Sequence, residues 1–272
     1  MEQTEANPRS SVVLCDLDGV VWLAHEEIPG SAGAIALLRD SGRRVVFVTN
    51  NSHATTSQVV AHLMKIGIPA TGDVVTSARA AASVLSGHER VLVCGGPGIV
   101  EEVGLRGCSL DVCHTSKIRD RDYDAVVVGF HREFDFDVLD RASRAIRSGA
   151  TFIATNEDPT YPTPDGLIPG GGSIVAALAT ASGVDPLVTG KPHRTMANVV
   201  MTECKGHSAI DMVMVGDRVS TDGAFAQTIG CRFALVMSGV ADSGDVVHAD
   251  LAGKNLRDVA RQILEEEHGT SR

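Results

Sequence analysis

Val12-Val13-Leu14-Cys15-Asp16-Leu17-Asp18-Gly19-Val20 joins an apolar run to a turn that carries two carboxylates. Val12–Leu14 reads as a buried strand, and Gly19 marks the turn that ends it. Asp16 and Asp18 stand two residues apart, so on an extended strand end they share a face. Two carboxylates so placed repel unless a proton or a cation lies between them. Magnesium takes oxygen ligands, commonly one or two carboxylates together with waters and a substrate phosphate.

The same pattern recurs outward from this stretch. Val45–Val48, Val91–Val93, Ala125–Val128, Phe152–Ala154, Met212–Val215 and Phe233–Val236 are short apolar runs, most of them ended by Gly, Asn or Asp. Helical patterns separate them, over Ala32–Ser41, Ser57–Ile66, Ser77–Leu85, Asp137–Ser148, Ser173–Ser182, Arg194–Cys204, Thr221–Ile229 and Leu256–Glu267. Strands alternating with helices imply βαβ units and an α/β fold with a doubly wound, Rossmann-like, mainly parallel sheet. Ligands in such sheets bind at the carboxyl ends of the strands.

Those strand ends and loops carry Asp16 and Asp18, Thr49-Asn50-Asn51-Ser52, Gly190-Lys191-Pro192, and Gly216-Asp217-Arg218 with Asp222 just beyond. Asp217 supplies a further carboxylate, and Asp222 is placed to orient a metal-bound water. Each motif alone reads equally well as a turn or a helix cap. Gathered at strand ends with a lysine, they point to a site.

The chain has 272 residues and a formal charge of −10, with 43% apolar and 21% charged residues. That composition is globular, and the acidic balance argues against non-specific nucleic-acid or membrane-surface binding. An anionic substrate must therefore meet local positive charge. No run approaches the roughly 18 apolar residues of a membrane span. Residues 1–10 read as a polar tail without the features of a signal peptide. The six cysteines are scattered without CxxC pairs, which fits free thiols in a reducing cytoplasm better than disulfides or zinc. The stretch between Thr49-Asn50 and Lys191 is long enough for a second α/β domain inserted into the first. The division is drawn with residues 11–80 and 188–272 as the core and 81–187 as the insertion.

With DLDGV at 16–20, TNNS at 49–52, GKP at 190–192 and GDRVSTD at 216–222, the chain resembles the haloacid dehalogenase superfamily of phosphatases. The stretch from Ala154 to Ser173 is similar to the NagD-like subfamily, whose large α/β cap lies between the second and third core motifs. The resemblance implies that Asp16 is the nucleophile and Asp18 the general acid and base. Thr49, Asn50, Asn51 and Lys191 would hold the phosphoryl group. Mg²⁺ would be bound by Asp16, the Asp18 carbonyl and Asp217, with Asp222 behind them. It also implies a cap closing over a small phosphorylated metabolite, and pairing of two copies through the cap. Candidate substrates are glycerol 3-phosphate, phosphoglycolate, nucleoside monophosphates, pyridoxal phosphate and 4-nitrophenyl phosphate. Two alternatives share the fold: a phosphotransferase using the same intermediate, and a metabolite-binding protein without catalysis.

Weaker features stay open at this stage. Tyr161 and Asp165 are candidates for contacting the leaving group, or they belong to a loop stiffened by Pro159, Pro162 and Pro164. His53 and His193 follow motif residues and read more simply as surface histidines. His131 stands where the resemblance suggests Asp. Gly95-Gly96-Pro97-Gly98 lacks the third glycine of a dinucleotide loop and reads as a turn. Gly170–Gly172 reads as a junction turn or an anion-binding helix start. The sequence holds no P-loop, GxSxG elbow or HExxH motif.

Overall fold

A strand buried on both faces needs apolar side chains at every position, which is the composition of a parallel sheet covered by helices. Two such sheets form in the computed structural model, which describes residues 11–23, 25–114, 122–163 and 165–269. The expected tail at residues 1–10 lies outside the described residues. Packing divides the chain into two compact units. Among the described residues, the first takes those within 11–48, 62–74 and 200–269, and the second those within 49–61 and 75–199.

The first unit is built on a six-stranded sheet ordered Leu251–Gly253, Arg232–Val236, Met212–Gly216, Val12–Cys15, Arg44–Thr49, Val74–Thr76. The four pairings from Leu251–Gly253 to Arg44–Thr49 are parallel. From Val12–Cys15 the chain steps one way to Arg44–Thr49, and it later returns on the other side as Met212–Gly216. That reversal is the topological switch point at which doubly wound sheets open a crevice. The helices Ser31–Asp40 and Leu256–Gly269 pack on each other.

The second unit has a five-stranded sheet ordered Leu187–Val188, Thr151–Ala154, Ala125–Val128, Arg90–Cys94, Ser109–Val112, parallel throughout. Its strands alternate strictly between two cores. Val91, Val93, Ala125, Val127 and Ile153 pack with the helices Ser77–Ser83 and Pro97–Leu105. Leu92, Cys94, Val126, Val128, Phe152 and Ala154 pack with Phe136–Arg147 and Gly171–Ser182. This is the period-two geometry of a strand with both faces covered.

All seven strands read from the sequence form, with small shifts at their ends. The sequence division at 80/81 and 187/188 follows the order of elements, whereas the units follow packing. Ser77–Ser83 lies against Pro97–Leu105, and Gly98 donates to the His53 carbonyl at 2.9 Å, so these segments group together. The helix expected over Thr221–Ile229 starts instead as a π-helical turn at Val219–Gly223 and becomes α-helical at Ala224–Ile229. π-Turns recur at functional sites because they re-aim a side chain.

Candidate functional site

Two neighbouring strands of the first unit deliver the carboxylates. Val12–Cys15 and Met212–Gly216 pair in register with Cys15 opposite Val215, and the Asp16 amide extends the ladder to the Val215 carbonyl at 2.9 Å. The strands therefore end side by side, with Asp16 and Asp217 just beyond. The π-turn then folds the chain back: Asp222 donates its amide to the Arg218 carbonyl at 2.7 Å, and its Oδ2 accepts from the Arg218 amide at 3.2 Å. A Cβ on Gly216 would run into the Asp222 carboxyl carbon, so only glycine lets Asp222 close over the strand end.

As a result Asp16, Asp217 and Asp222 each offer a carboxylate oxygen within 4.8 Å of the others. All three are buried, Asp222 to 1% exposure. Gly19, at φ +86°, and Gly239 line Asp217 so closely that a Cβ on either would strike its Oδ2. That oxygen also accepts from the Val240 amide at 2.8 Å. Buried like charges at this spacing call for a cation, and an all-oxygen donor set suits a hard ion such as Mg²⁺. The residues therefore fit the ion the sequence implied. The Asp18 carboxylate takes another path: its Oδ1 accepts from Trp22 Nε1 at 3.1 Å.

The TNNS and GKP residues come together in the second unit. Asn50 is the hub. Its Nδ2 donates to Asp158 Oδ2 at 2.8 Å and to the Lys191 carbonyl at 3.1 Å. Its Oδ1 accepts from the Lys191 amide at 2.8 Å. Its own carbonyl accepts from Asn156 Nδ2 at 2.8 Å and Ser77 Oγ at 2.7 Å. Lys191 is 2% exposed, and burial of an ammonium demands compensating negative charge or hydrogen bonds. Within the TNNS loop, the Asn51 amide donates to Thr49 Oγ1 at 3.0 Å, and Asn51 Oδ1 accepts from the His53 amide at 3.0 Å.

The weaker sequence features resolve as follows. The Asn156–Gly166 stretch is in part a β-hairpin, Thr160–Thr163 against Gly166–Pro169, with Asp165 exposed at its tip. Tyr161 stacks on Phe130 with ring centroids 6.2 Å apart. His53 is half-buried, its Nδ1 3.3 Å from the Phe130 carbonyl, whereas His193 pairs with Glu157 at 3.0 Å near the surface. His131 is buried, and burial pushes its pKa down to about 4. The amides of Gly170 and Gly172 are spent on the Pro159 and Asp158 carbonyls, so this helix start offers those amides to no anion. Gly96 and Gly98 sit where a Cβ would meet His53 and the Ala54 carbonyl, as a close-packed turn requires.

Sequence reasoning missed Asn156, Asp158 and Trp22. The first two follow the end of the strand Thr151–Ala154, and the strand-end rule applied there as at Asp16 would have found them. Trp22 gave no signal, because its contact with Asp18 depends on how the intervening turn closes.

Residues 13–109 match the family model of haloacid dehalogenase-like hydrolases, and residues 188–264 match a second, HAD-hydrolase-like model. The chain is 40% identical over 244 residues to D-glycerol 3-phosphate phosphatase of Mycobacterium tuberculosis, covering 88% of this chain and 66% of that protein. It is 33% identical to the sugar-phosphatase AraL of Bacillus subtilis, covering 92% of each. The crystal structure of a glycerol phosphate phosphatase from Mycobacterium tuberculosis in complex with magnesium superposes with a TM-score of 0.81 at 35% identity, covering 92% of this chain and 76% of that one. On sequence over nearly its full length and on fold, the chain belongs to the haloacid dehalogenase-like hydrolases, in their NagD-like branch.

Proposed function

We propose that this chain is a Mg²⁺-dependent phosphatase of small phosphorylated metabolites, acting in the cytoplasm through an aspartyl-phosphate on Asp16. The observation that carries the reading is the convergence of Asp16, Asp217 and Asp222 at adjacent parallel strand ends, in a cradle kept open by glycines. Asp16, the Asp18 carbonyl and Asp217 would hold the ion, with Asp222 supporting it. The ion supplies charge neutralisation for a phosphoryl group that three carboxylates would otherwise repel.

In this reading a carboxylate oxygen of Asp16 attacks phosphorus, the bond to the leaving oxygen breaks, and protonated Asp18 gives its proton to that oxygen. Asp18, now a carboxylate, takes a proton from water. The water oxygen bonds to phosphorus, the Asp16–phosphorus bond breaks, and inorganic phosphate leaves with Asp16 restored. Thr49, Asn50, Asn51 and Lys191 bind phosphoryl oxygens. Residues 81–187 act as the cap that sets specificity, with Tyr161 and Asp165 as its candidate contacts. Among substrate classes we favour glycerol phosphate and sugar phosphates, because a D-glycerol 3-phosphate phosphatase is matched at 40% identity and a sugar-phosphatase over 92% of this chain.

The test is release of inorganic phosphate from a panel of phosphate esters, with Mg²⁺ and in excess chelator. Turnover should require the ion and should be lost in Asp16→Asn with the fold intact. Turnover in chelator, or in Asp16→Asn, would overturn the reading.

A further inference from the structure

The side chain proposed to carry protons, Asp18, is held by a residue that no motif names. Trp22 is the chain's only tryptophan and is 2% exposed. The segment between the two closes on itself. Val21 and Trp22 donate their amides to the Leu17 carbonyl at 2.9 and 3.1 Å, and Gly19 donates to the Trp22 carbonyl at 2.8 Å. Asp18 and Trp22 thereby meet in a single β-bridge, and the indole lies where Nε1 reaches Asp18 Oδ1 at 3.1 Å.

The indole is also fixed from its other side. The His25 ring meets it edge-on at 5.3 Å, His62 does so at 6.5 Å, and the two imidazoles lie tilted against each other with centroids 4.3 Å apart. Burial lowers the pKa of both histidines. His25 sits at φ +73°, a conformation that costs a non-glycine residue energy and that the packing of its ring offsets.

An indole N–H donates and never accepts. The carbonyl oxygen of a protonated carboxyl is the better acceptor of its two, so an indole N–H held on Oδ1 favours the transferable proton on Oδ2. We propose that Trp22 is the positioning residue of the acid–base step: its N–H fixes which Asp18 oxygen carries the proton and where that oxygen points. The inference rests on Asp18 having the role given above.

The experiment compares wild type with Trp22→Phe on glycerol 3-phosphate and on 4-nitrophenyl phosphate, in saturating Mg²⁺. Phe keeps an aromatic ring in the buried position and removes the donor. kcat/KM reports the first half-reaction, in which the glyceryl alkoxide needs a proton and 4-nitrophenolate does not. Loss of positioning should lower kcat/KM about tenfold for glycerol 3-phosphate and less than about twofold for 4-nitrophenyl phosphate. A structural defect would lower both alike, because Asp16 lies in the same loop. Equal losses, or no loss, overturn the proposal. If wild type hydrolyses neither ester, the phosphatase reading falls and this inference falls with it. Should the Phe variant not fold, 3-benzothienylalanine at position 22 keeps the shape of the indole with sulfur in place of N–H, and the same split is expected.

Discussion

At the scale of single residues, the acidic group depends as much on atoms that are missing as on those present. Asp217 is wedged between Gly19 and Gly239, whose hydrogens occupy the place of any Cβ. Gly239→Ala should push the Asp217 carboxylate out of line with Asp16 and Asp222. A displacement of about 1 Å at a reacting centre costs on the order of 100-fold in rate, so activity should fall by about that factor and the Mg²⁺ concentration for half-activity should rise. A metal titration of the variant with unchanged half-activity would show that the cradle is not needed. Gly19 was legible as a turn; Gly239 was not, since its importance lies in a carboxylate 22 positions earlier in the chain. Asp16, Asp217 and Asp222 were legible because each lies where a strand end or helix start is announced by its neighbours. Asn156 and Asp158 stand just past a strand end and were legible on the same rule, whereas Trp22 was not, since it matters through a hydrogen bond that closes only when its turn folds.

At the scale of elements, legibility followed burial. Strands inside the second sheet send alternate residues into two apolar cores, so runs such as Val91–Val93 stood out. Edge strands did not. Ser109–Val112 is only partly covered, Leu187–Val188 and Leu251–Gly253 are short, and Thr160–Thr163 contains a proline inside a two-stranded hairpin. One face or one turn of cover needs fewer apolar residues, and the pattern fades. The Asn50 side chain ties the loops around it: one amide group bonds Asp158 and both backbone groups of Lys191. Asn50→Ala removes those three hydrogen bonds and should cost about 2–4 kcal/mol. Asn50→Asp should cost more, because it sets a carboxylate 2.8 Å from Asp158 Oδ2. Urea midpoints of the two variants rank the effects, and a less damaging Asp would refute the donor role of the amide.

Over the whole molecule, pH acts on stability through a buried imidazole. The His131 side chain is fully covered, packed against Phe134 with ring centroids 5.8 Å apart, and its pKa falls from 6.5 to about 4 chiefly through burial. The unfolded chain takes up that proton below pH 6.5 and the folded chain does not until about pH 4. Stability is therefore complete above pH 6.5 and declines as the pH falls through that window. At about pH 5 the loss from this group is about 2 kcal/mol. His131→Phe should lack this loss, so its stability relative to wild type should rise by that amount between pH 7.5 and 5 in urea unfolding, and a constant difference would refute the assignment. The strand order has a consequence for biosynthesis. Val12–Cys15 leaves the ribosome before one of its two neighbours, Met212–Gly216, which follows about 200 residues later. At about 5–20 residues per second that interval is about 10–40 s, during which the edge bearing Asp16 has no native partner. The residues that make the site thus also border an open strand edge of the nascent chain, and charge at Asp16 and Asp18 disfavours pairing with the wrong strand until Met212–Gly216 emerges.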